Sequence, residues 1–297
     1  MRYFSTFSGI GGFELGIGTE HECVGYSEID KYATSIYQKH FPNHKNYGDI
    51  TKINAEELPD FDLIVGGFPC QSFSIAGKRR GFEDTRGTMF FELARILKAK
   101  QPRLFVFENV KGLLSHDNGQ TFRTIIATLD ELGYDTQWQV LNSKNHGVPQ
   151  NRERVFIVGR LRGTPRPKVF PFIQSDGETN AANQKYPSIS APVTTQGQLN
   201  LRGVYINQLN NPNHSNDRVY GADGISPTLN TMQGGNRQPF ISLEEMKIRR
   251  LTPTECERLQ GFPDGWTEGV SDTQRYKTLG NAVTVNVIHT IMSKLLA

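Results

Sequence analysis

The sequence predicts an open α/β fold, with a doubly wound sheet followed by a second, smaller and irregular domain. Apolar strand-like segments alternate with amphipathic helical segments over residues 1–165, a pattern typical of a parallel sheet with helices on both faces. Glycine-rich turns follow two of these strands, at the edge where such sheets bind ligands. After residue 165 the chain is rich in Asn, Gln, Gly, Pro, Ser and Thr, which predicts short strands and polar loops.

Composition narrows the class of protein. The 297 residues include 33 Lys and Arg against 30 Asp and Glu, a net charge of +3 that tolerates a nucleic-acid partner without requiring one. The three cysteines, Cys23, Cys70 and Cys256, are widely separated, which argues against a disulfide framework or a zinc site, so we expect no metal. With no membrane-length apolar run and no signal peptide, the sequence predicts a cytoplasmic protein with free thiols.

The first predicted strand, residues 3–7, runs into a glycine turn, Ser8 to Gly12, that opens a helix. Such a turn lets a ligand approach the backbone closely. The second predicted strand, residues 23–26, ends near Glu28, an acidic position where nucleoside-binding sheets hold ribose hydroxyls. An alternative interpretation is that Glu28 only begins the helix predicted over residues 31–40.

The stretch around Cys70 is the strongest local signal. A strand-like element is predicted at residues 48–50, and then an apolar run at 63–65 is followed by two glycines, Pro69 and Cys70. The proline presets the backbone before the thiol, so Cys70 is a candidate nucleophile held at the edge of the sheet. The alternative is a buried structural cysteine, and the residues alone leave both interpretations open.

The cation-rich segment 75–87 is predicted to be a mobile lid, with a solvated connecting loop as the alternative. A strand over 104–107 ends at Glu108, and a carboxylate there is costly unless it has a partner or a function. The remaining predicted elements of this half are helices 89–100 and 121–132 and strands 136–141 and 155–159.

The second half of the chain is predicted to contain three segments, 166–248, 249–279 and 280–297. Residues 166–248 are predicted to carry short strands at 204–206 and 239–241 and loops suited to a nucleic-acid groove. A helix capped by Thr252 or Thr254 follows. Residues 249–279 are predicted to be a hinge, and residues 280–297 a glycine turn and a final helix returning to the first domain.

Six stretches carry a family resemblance in this order: Phe7-Ser8-Gly9-Ile10-Gly11-Gly12, Gly67-Phe68-Pro69-Cys70-Gln71-Ser72-Phe73-Ser74, Glu108-Asn109-Val110, Gln150-Asn151-Arg152-Glu153-Arg154, Arg250-Leu251-Thr252-Pro253-Thr254-Glu255-Cys256 and Gly280-Asn281-Ala282-Val283. Together they resemble the cytosine-5 DNA methyltransferases of bacteria and phages. The resemblance implies a Rossmann-like methyltransferase sheet over 1–165 and a target-recognition domain over 166–248. It also implies an enzyme that methylates carbon 5 of a cytosine in a short site of duplex DNA.

The resemblance assigns four residues to the chemistry. Cys70 would add to carbon 6 of the ring so that carbon 5 becomes nucleophilic. Glu108 would give a proton to ring nitrogen 3, and its pKa should be raised if it is buried. Arg154 would stabilise charge at the carbonyl oxygen of the base. Arg152 would support the loop or the DNA phosphates.

The implied methyl donor is S-adenosyl-L-methionine. The resemblance places Phe7 against its adenine, Gly9 and Gly11 beside its methionine part, and Glu28 on its ribose. Ile29 stands where relatives often have an aromatic residue, which puts stacking at that position in doubt. The other positions assigned to the cofactor are Gly12, Asp49 at the adenine amino group, Ile50 against the ring, Pro69, Asn281 and Ala282.

A target base must leave the duplex to reach Cys70. The resemblance implies a recognition segment over 224–237, with Thr228 in its Thr-Leu pair. Arg237 is the favoured base contact because Arg most often pairs with guanine, although Asn230, Gln233 and Asn236 stay open. The closing loop would contact DNA through Gln71, Ser74, Lys78 and Arg86. Duplex DNA is the expected partner of a monomer, with a cognate restriction endonuclease as a possible further partner.

Three alternative functions compete with this interpretation. A cysteine hydrolase would need a histidine base, and only His116 or His146 is available outside any recognisable hydrolase motif. A DNA-binding regulator on an inactive scaffold is disfavoured because every catalytic residue is present. The same chemistry on transfer RNA is disfavoured by the long polar second domain.

Overall fold

The computed structural model describes residues 1–69, 89–165, 169–172, 219–221, 224–231, 238–242 and 248–296. Its core is one large sheet, made of strands β1 (Arg2–Thr6), β2 (Glu22–Ser27), β3 (Leu63–Gly67), β4 (Leu104–Val110), β5 (Tyr134–Asn142) and, after the short strand β6 (Gln150–Asn151), β7 (Glu153–Leu161). The six long strands lie in the order β2-β1-β3-β4-β7-β5.

Helices cover both faces of this sheet, as the predicted fold class requires. The helices of the described residues are α1 (Gly12–Ile17), α2 (Lys31–His40), α3 (Met89–Lys100), α4 (Gln120–Glu131), α5 (Pro253–Gln260), α6 (Asp272–Asn281) and α7 (Val285–Leu295). Successive strand residues point to opposite faces, so Phe105 and Phe107 pack beneath α3 and α4, whereas Val106 packs towards α1 and α7. Helices 31–40 and 89–100 are confirmed at their predicted bounds.

The sheet is mixed, which corrects the expectation of a fully parallel one. β2, β1, β3 and β4 pair in parallel, but β7 lies antiparallel to both β4 and β5. Residues 143–152 join β5 to β7 with a 3-10 turn and the short strand β6 and no crossover helix. A short connection returns the chain in the opposite direction, so β7 cannot be parallel to β5.

Two further local predictions are wrong. Residues 48–50 do not form a strand, because Asp49 caps a 3-10 turn (Ile50–Lys52) by accepting from the Thr51 backbone amide. Gly280 lies within α6, so the turn into the final helix comes at residues 282–284. Thr252 is the cap of α5, in a capping box with Glu255. The predicted strand 204–206 and lid 75–87 lie outside the described residues.

The second half adds smaller sheets. β8 (Val219–Gly221), β10 (Phe240–Ser242) and β11 (Ile248–Arg250) form a three-stranded sheet, and β9 (Ser226–Pro227) pairs in parallel with β6. Leu229 and Ile241 join a buried cluster with α5, α6 and Ile10. Within the described ranges, every helix is too short or too polar to span a bilayer.

Candidate active site

The carboxyl ends of β1, β3 and β4 meet at one edge of the sheet, where an open α/β fold binds its ligands. Phe7 follows β1, Pro69 follows β3, and Glu108 lies near the end of β4. The chain leads from Pro69 directly to Cys70. Several predicted site residues lie outside the described part of the chain: Cys70, Gln71, Ser74, Lys78, Arg86 and Arg237.

Glu108 and Arg154 form an ion pair at this edge, and the strand register explains why. Val110 pairs with Arg154 and Glu108 pairs with Phe156, so Glu108 and Arg154 are diagonal neighbours on one face of the sheet. Arg154 Nε lies 3.0 Å from Glu108 Oε1, and their side chains are only 16% and 13% exposed. The structure thus brings together an acid and a cation that the sequence places 46 residues apart.

The electrostatics of Glu108 agree with the prediction made for it. Burial raises the pKa of Glu108, although Arg154 and Arg152 act in the opposite direction. A raised pKa makes a carboxyl group a better match for proton transfer near neutral pH. Gly67 makes room for this group, since a Cβ at Gly67 would lie 2.8 Å from Glu108 Oε2.

Asn109 positions the backbone before Cys70, a role that the sequence interpretation did not assign. Its side chain is buried, and its Nδ2 donates to the carbonyl of Phe68 at 2.8 Å. Its Oδ1 accepts from the Val110 amide at 2.8 Å. A buried amide side chain must satisfy both its donor and its acceptor. An Asn at the end of a buried strand was therefore the signal in the sequence for such a role. Asn109 therefore holds the segment that follows β3 against the end of β4.

The glycine turn and the end of β2 lie on one side, or wall, of the predicted cofactor cleft, and the segment of Asn281 and Ala282 is predicted to be its opposite wall. Phe7, Gly9 and Gly11 all have left-handed backbones, with φ of 50°, 56° and 90°. The Gly9 amide donates to Glu28 Oε2 at 2.9 Å. Glu28 Oε1 accepts from the amides of Ile29 and Asp30, each at 2.8 Å. Gly12 lies below this turn, where a Cβ would meet Val283.

The other predicted positions of this wall differ in exposure. Ile50 is buried, whereas Ile29 is 75% exposed at the rim. Asp49 Oδ1 accepts from the amide and the hydroxyl of Thr51, and these hydrogen bonds lower the pKa of Asp49. Asp49 Oδ2 lies 3.8 Å from Lys52 Nζ.

Arg152 holds the opposite wall together from inside the protein. Its Nη1 donates to the Leu229 carbonyl at 3.1 Å, and its Nη2 donates to the carbonyls of Gly280 and Ala282 at 3.0 and 2.9 Å. Burial lowers the pKa of Arg152 to about 9. Its buried position fits the predicted support of a chain segment, and phosphate contacts would fall to other side chains. Asn281, between two of these carbonyls, is exposed.

Gln150 joins β6 to Leu229 and to the end of α5, and its role was missed because its partners are distant in sequence. Gln150 is fully buried, with Nε2 donating to the Leu259 carbonyl at 2.8 Å and Oε1 accepting from the Leu229 amide at 3.1 Å. Next to it, the exposed Thr228 donates to the Asn151 carbonyl at 2.6 Å. The Thr-Leu pair is thereby fixed to residues 150–152.

The two histidines of the hydrolase alternative have structural partners. His116 Nδ1 lies 2.6 Å from the Thr121 hydroxyl. His146 Nδ1 lies 3.3 Å from the Thr290 hydroxyl on α7, and burial lowers the pKa of His146 to about 4. Among the described residues, no cluster of His, Cys, Asp and Glu could hold a metal ion.

The fold and this site together define an open α/β protein that holds an acid and a cation at the edge of the sheet where its parallel strands end. The family model described as C-5 cytosine-specific DNA methylase matches residues 1–197 and 172–297. The chain therefore belongs to the C-5 cytosine-specific DNA methylase family, and it is a DNA (cytosine-5-)-methyltransferase. The predicted family, fold class and enzyme class are confirmed.

Curated relatives match over nearly the whole chain. Type II methyltransferase M1.ScrFI of Lactococcus lactis subsp. cremoris is 40% identical, with 99% of this chain and 78% of the relative covered. Type II methyltransferase M.HhaI of Haemophilus parahaemolyticus is 36% identical, with 98% and 93% covered. The solved S. pombe Dnmt2 methyltransferase has a TM-score of 0.73 at 21% identity, covering 100% of this chain and 98% of its own, which shows the shared fold.

Proposed function

We propose that this enzyme transfers a methyl group from S-adenosyl-L-methionine to carbon 5 of a cytosine flipped out of a short, specific duplex site, through a covalent adduct with Cys70. The observation that carries the proposal is the buried Glu108–Arg154 pair at the carboxyl edge of the sheet. Thiolate addition to carbon 6 of the ring places negative charge on ring nitrogen 3 and the carbonyl oxygen. A proton donor and a cation held side by side match these two atoms.

The Cys70 thiolate would bond to carbon 6 while Glu108 protonates ring nitrogen 3. Carbon 5 would then take the methyl group, and the carbon–sulfur bond that breaks would leave its electron pair on the donor sulfur, which departs as a neutral thioether. A solvent molecule would accept the carbon-5 proton, so that the double bond between carbons 5 and 6 re-forms, the Cys70 thiolate is expelled and the nitrogen-3 proton returns to Glu108. Asn109 fixes the backbone that presents the thiol, because it holds the Phe68 carbonyl.

The residues of the cleft fit the proposed methyl donor, which supplies an electrophilic methyl group on a sulfonium when it is bound. Gly9 has open space where a side chain would project, so a ligand can approach its backbone. The Glu28 carboxylate is an acceptor for ribose hydroxyls, held in place by three backbone amides. Ile29 exposes an apolar side chain that an adenosyl group would cover. The proposed cofactor positions on the facing wall are Asn281 and Ala282.

The proposed DNA contacts surround this cleft. Thr228 is exposed beside Asn151 and belongs to the proposed recognition domain, 166–248. Gln71, Ser74, Lys78 and Arg86 are proposed to close on the DNA, and Arg237 to contact a base. A monomer acting in the cytoplasm of a bacterial or phage-infected cell, with or without a cognate endonuclease, is consistent with the bacterial and phage relatives.

Replacing Cys70 by Ala tests the nucleophile. Cys70→Ala should lower the rate of cytosine methylation by roughly a thousandfold or more, because it removes the covalent route, while S-adenosyl-L-methionine still binds. Tritium transfer from the methyl donor to DNA measures the first property and calorimetry the second. The matched control is Cys256→Ala, which removes the buried free thiol of α5 and should retain methylation. Substantial methylation by Cys70→Ala would show that the nucleophile is misassigned.

A further inference from the structure

An ion pair joins the two walls of the cofactor cleft. Lys277 Nζ on α6 lies 2.6 Å from Asp30 Oδ2, at the residue that begins α2. The two side chains are 33% and 29% exposed, so the pair is partly shielded from solvent. It connects positions 247 residues apart in the chain.

Asp30 fixes the wall that carries Glu28. Asp30 Oδ1 caps α2 by accepting from the amides of Tyr32 and Ala33 at 2.9 and 3.1 Å. The Asp30 amide donates to Glu28 Oε1 at 2.8 Å. With Oδ1 and the amide already committed, Oδ2 is the atom left to accept from Lys277. A shift of Asp30 would therefore move Glu28.

Lys277 stands on the opposite wall. It lies one helical turn before Asn281, and residues four apart share a face of a helix. The end of α6 is itself held by Arg152 through the carbonyls of Gly280 and Ala282. The ion pair with Asp30 therefore holds the face of α6 that carries Asn281 towards Glu28.

We propose that Lys277 and Asp30 are positioning residues that preset the width of the cleft between Glu28 and Asn281 for the adenosyl part of the methyl donor. This inference rests on the proposed use of S-adenosyl-L-methionine. A cleft held at its bound width loses less freedom when the ligand enters, so the pair strengthens binding. Among the described residues, Lys277 and Asp30 pair with each other and with the start of α2, and not with Glu108 or Arg154, so we expect the pair to act on donor binding and not on the chemical step.

Other contacts between the two halves remain when the pair is removed. The Trp266 indole donates to the Ile10 carbonyl at 2.9 Å, and the rings of His40 and Trp266 stack with centroids 3.6 Å apart. Variants at Lys277 are therefore expected to fold. Asp30→Asn keeps the helix cap, since Asn caps helices as well as Asp does.

The test measures cofactor affinity in the absence of DNA. Lys277→Met and Asp30→Asn should each raise the Kd for S-adenosyl-L-methionine by about two- to fivefold, the range of a partly exposed ion pair. The double variant should bind no more weakly than either single variant. The KM for the donor should rise by the same factor with kcat unchanged, and Lys277→Arg should restore most of the affinity.

A matched control separates this effect from lost stability. Lys100 Nζ and Asp60 Oδ1 form a pair of the same 2.6 Å length, but Lys100 ends α3 and Asp60 precedes β3, at the opposite edge of the sheet. Lys100→Met should leave the Kd unchanged. If the unaltered protein binds the donor and Lys277→Met binds it with the same Kd, the positioning role is overturned. The proposed donor is not affected by that result. An unaltered protein that binds no S-adenosyl-L-methionine would overturn the proposed donor, and the positioning role with it.

Discussion

Glu108 and Glu14 are buried carboxyl groups that are stabilised in different ways. Glu108 faces the guanidinium of Arg154 at 3.0 Å. Glu14, 2% exposed in α1, is stabilised by hydroxyl groups, and the Tyr37 hydroxyl donates to its Oε1 at 3.0 Å. Burial raises the pKa of Glu14 to about 7. The Glu108–Arg154 ion pair belongs to the proposed chemistry. The buried Glu14 carboxylate instead lowers the free energy of unfolding by an amount that depends on pH.

Replacing Glu14 by Gln should remove this cost. Because the folded-state pKa of about 7 exceeds the ordinary 4.5, the free energy of unfolding should fall as the pH rises from about 4.5 to about 7 and stay low above it. The loss is on the order of 3 kcal/mol. Glu14→Gln should therefore be more stable than the unaltered protein at pH 8 and similar near pH 4.5, by urea unfolding at both pH values.

The control for this prediction is Glu20→Gln, which changes an exposed carboxyl group just after α1. It should leave the pH dependence of stability as it is. If Glu14→Gln keeps the slope of the unaltered protein between pH 4.5 and 7, another group is responsible for it.

At the scale of single residues, the sequence identified side chains that carry a chemical signature but missed those that act on backbone. Glu108 and Arg154 stand in motifs that resemble a known family. Asn109 and Gln150 instead bind backbone groups, and apart from the adjacent Val110 amide their partners lie from 41 to 109 residues away in the chain. Local sequence contains no signal for such partners, because they are defined only when the elements pack.

Among the elements, α6 shows how a glycine can be misinterpreted. The pair Gly280-Asn281 was expected to make a turn, since glycine is a poor helix former. In the structure Gly280 is helical, and the backbone of residues 230–231 passes directly against it. A Cβ there would lie 2.1 Å from the Asn230 carbonyl oxygen. The glycine is thus required by the close approach of two backbones and not by its own conformation.

Replacing Gly280 by Ala discriminates between these explanations. Helix propensity alone predicts a gain of about 1 kcal/mol, whereas the clash with Asn230 predicts a loss of roughly 1–3 kcal/mol in the free energy of unfolding. We expect the loss, measured by denaturant unfolding. The control is Gly112→Ala, because a Cβ at Gly112 would meet nothing within 4 Å. A Gly280→Ala variant that is more stable than the unaltered protein would contradict the described packing.

The antiparallel direction of β7 is a second feature that could not be predicted from the sequence. Alternation of strands and helices correctly predicted that β1 to β4 are parallel, since helical crossovers force neighbouring strands to be parallel. It also predicted a strand-like element at residues 48–50 that does not form. A buried strand is apolar on both faces whichever way it runs, so the pattern of residues 153–161 does not distinguish the two directions. This direction matters, because it creates the register that places Arg154 beside Glu108.

At the scale of the whole molecule, the two ends of the chain build the cleft together. α7 packs against α1, where a Cβ at Gly16 would lie 2.6 Å from the Ile288 Cβ. Trp266 holds the Ile10 carbonyl of the glycine turn, and Lys277 holds Asp30. The sequence predicted that the C-terminal helix returns to the first domain, but it could not supply these contacts, which depend on the tertiary fold.

The most direct test of the account uses DNA in which the target cytosine carries fluorine at carbon 5. Bisulfite sequencing of DNA from cells expressing the protein first identifies the target site. The fluorine cannot leave as a proton does, so the account predicts a complex of protein and DNA that survives denaturation, requires the methyl donor and is attached at Cys70. The absence of such a complex, or methylation of adenine instead of cytosine, would contradict it.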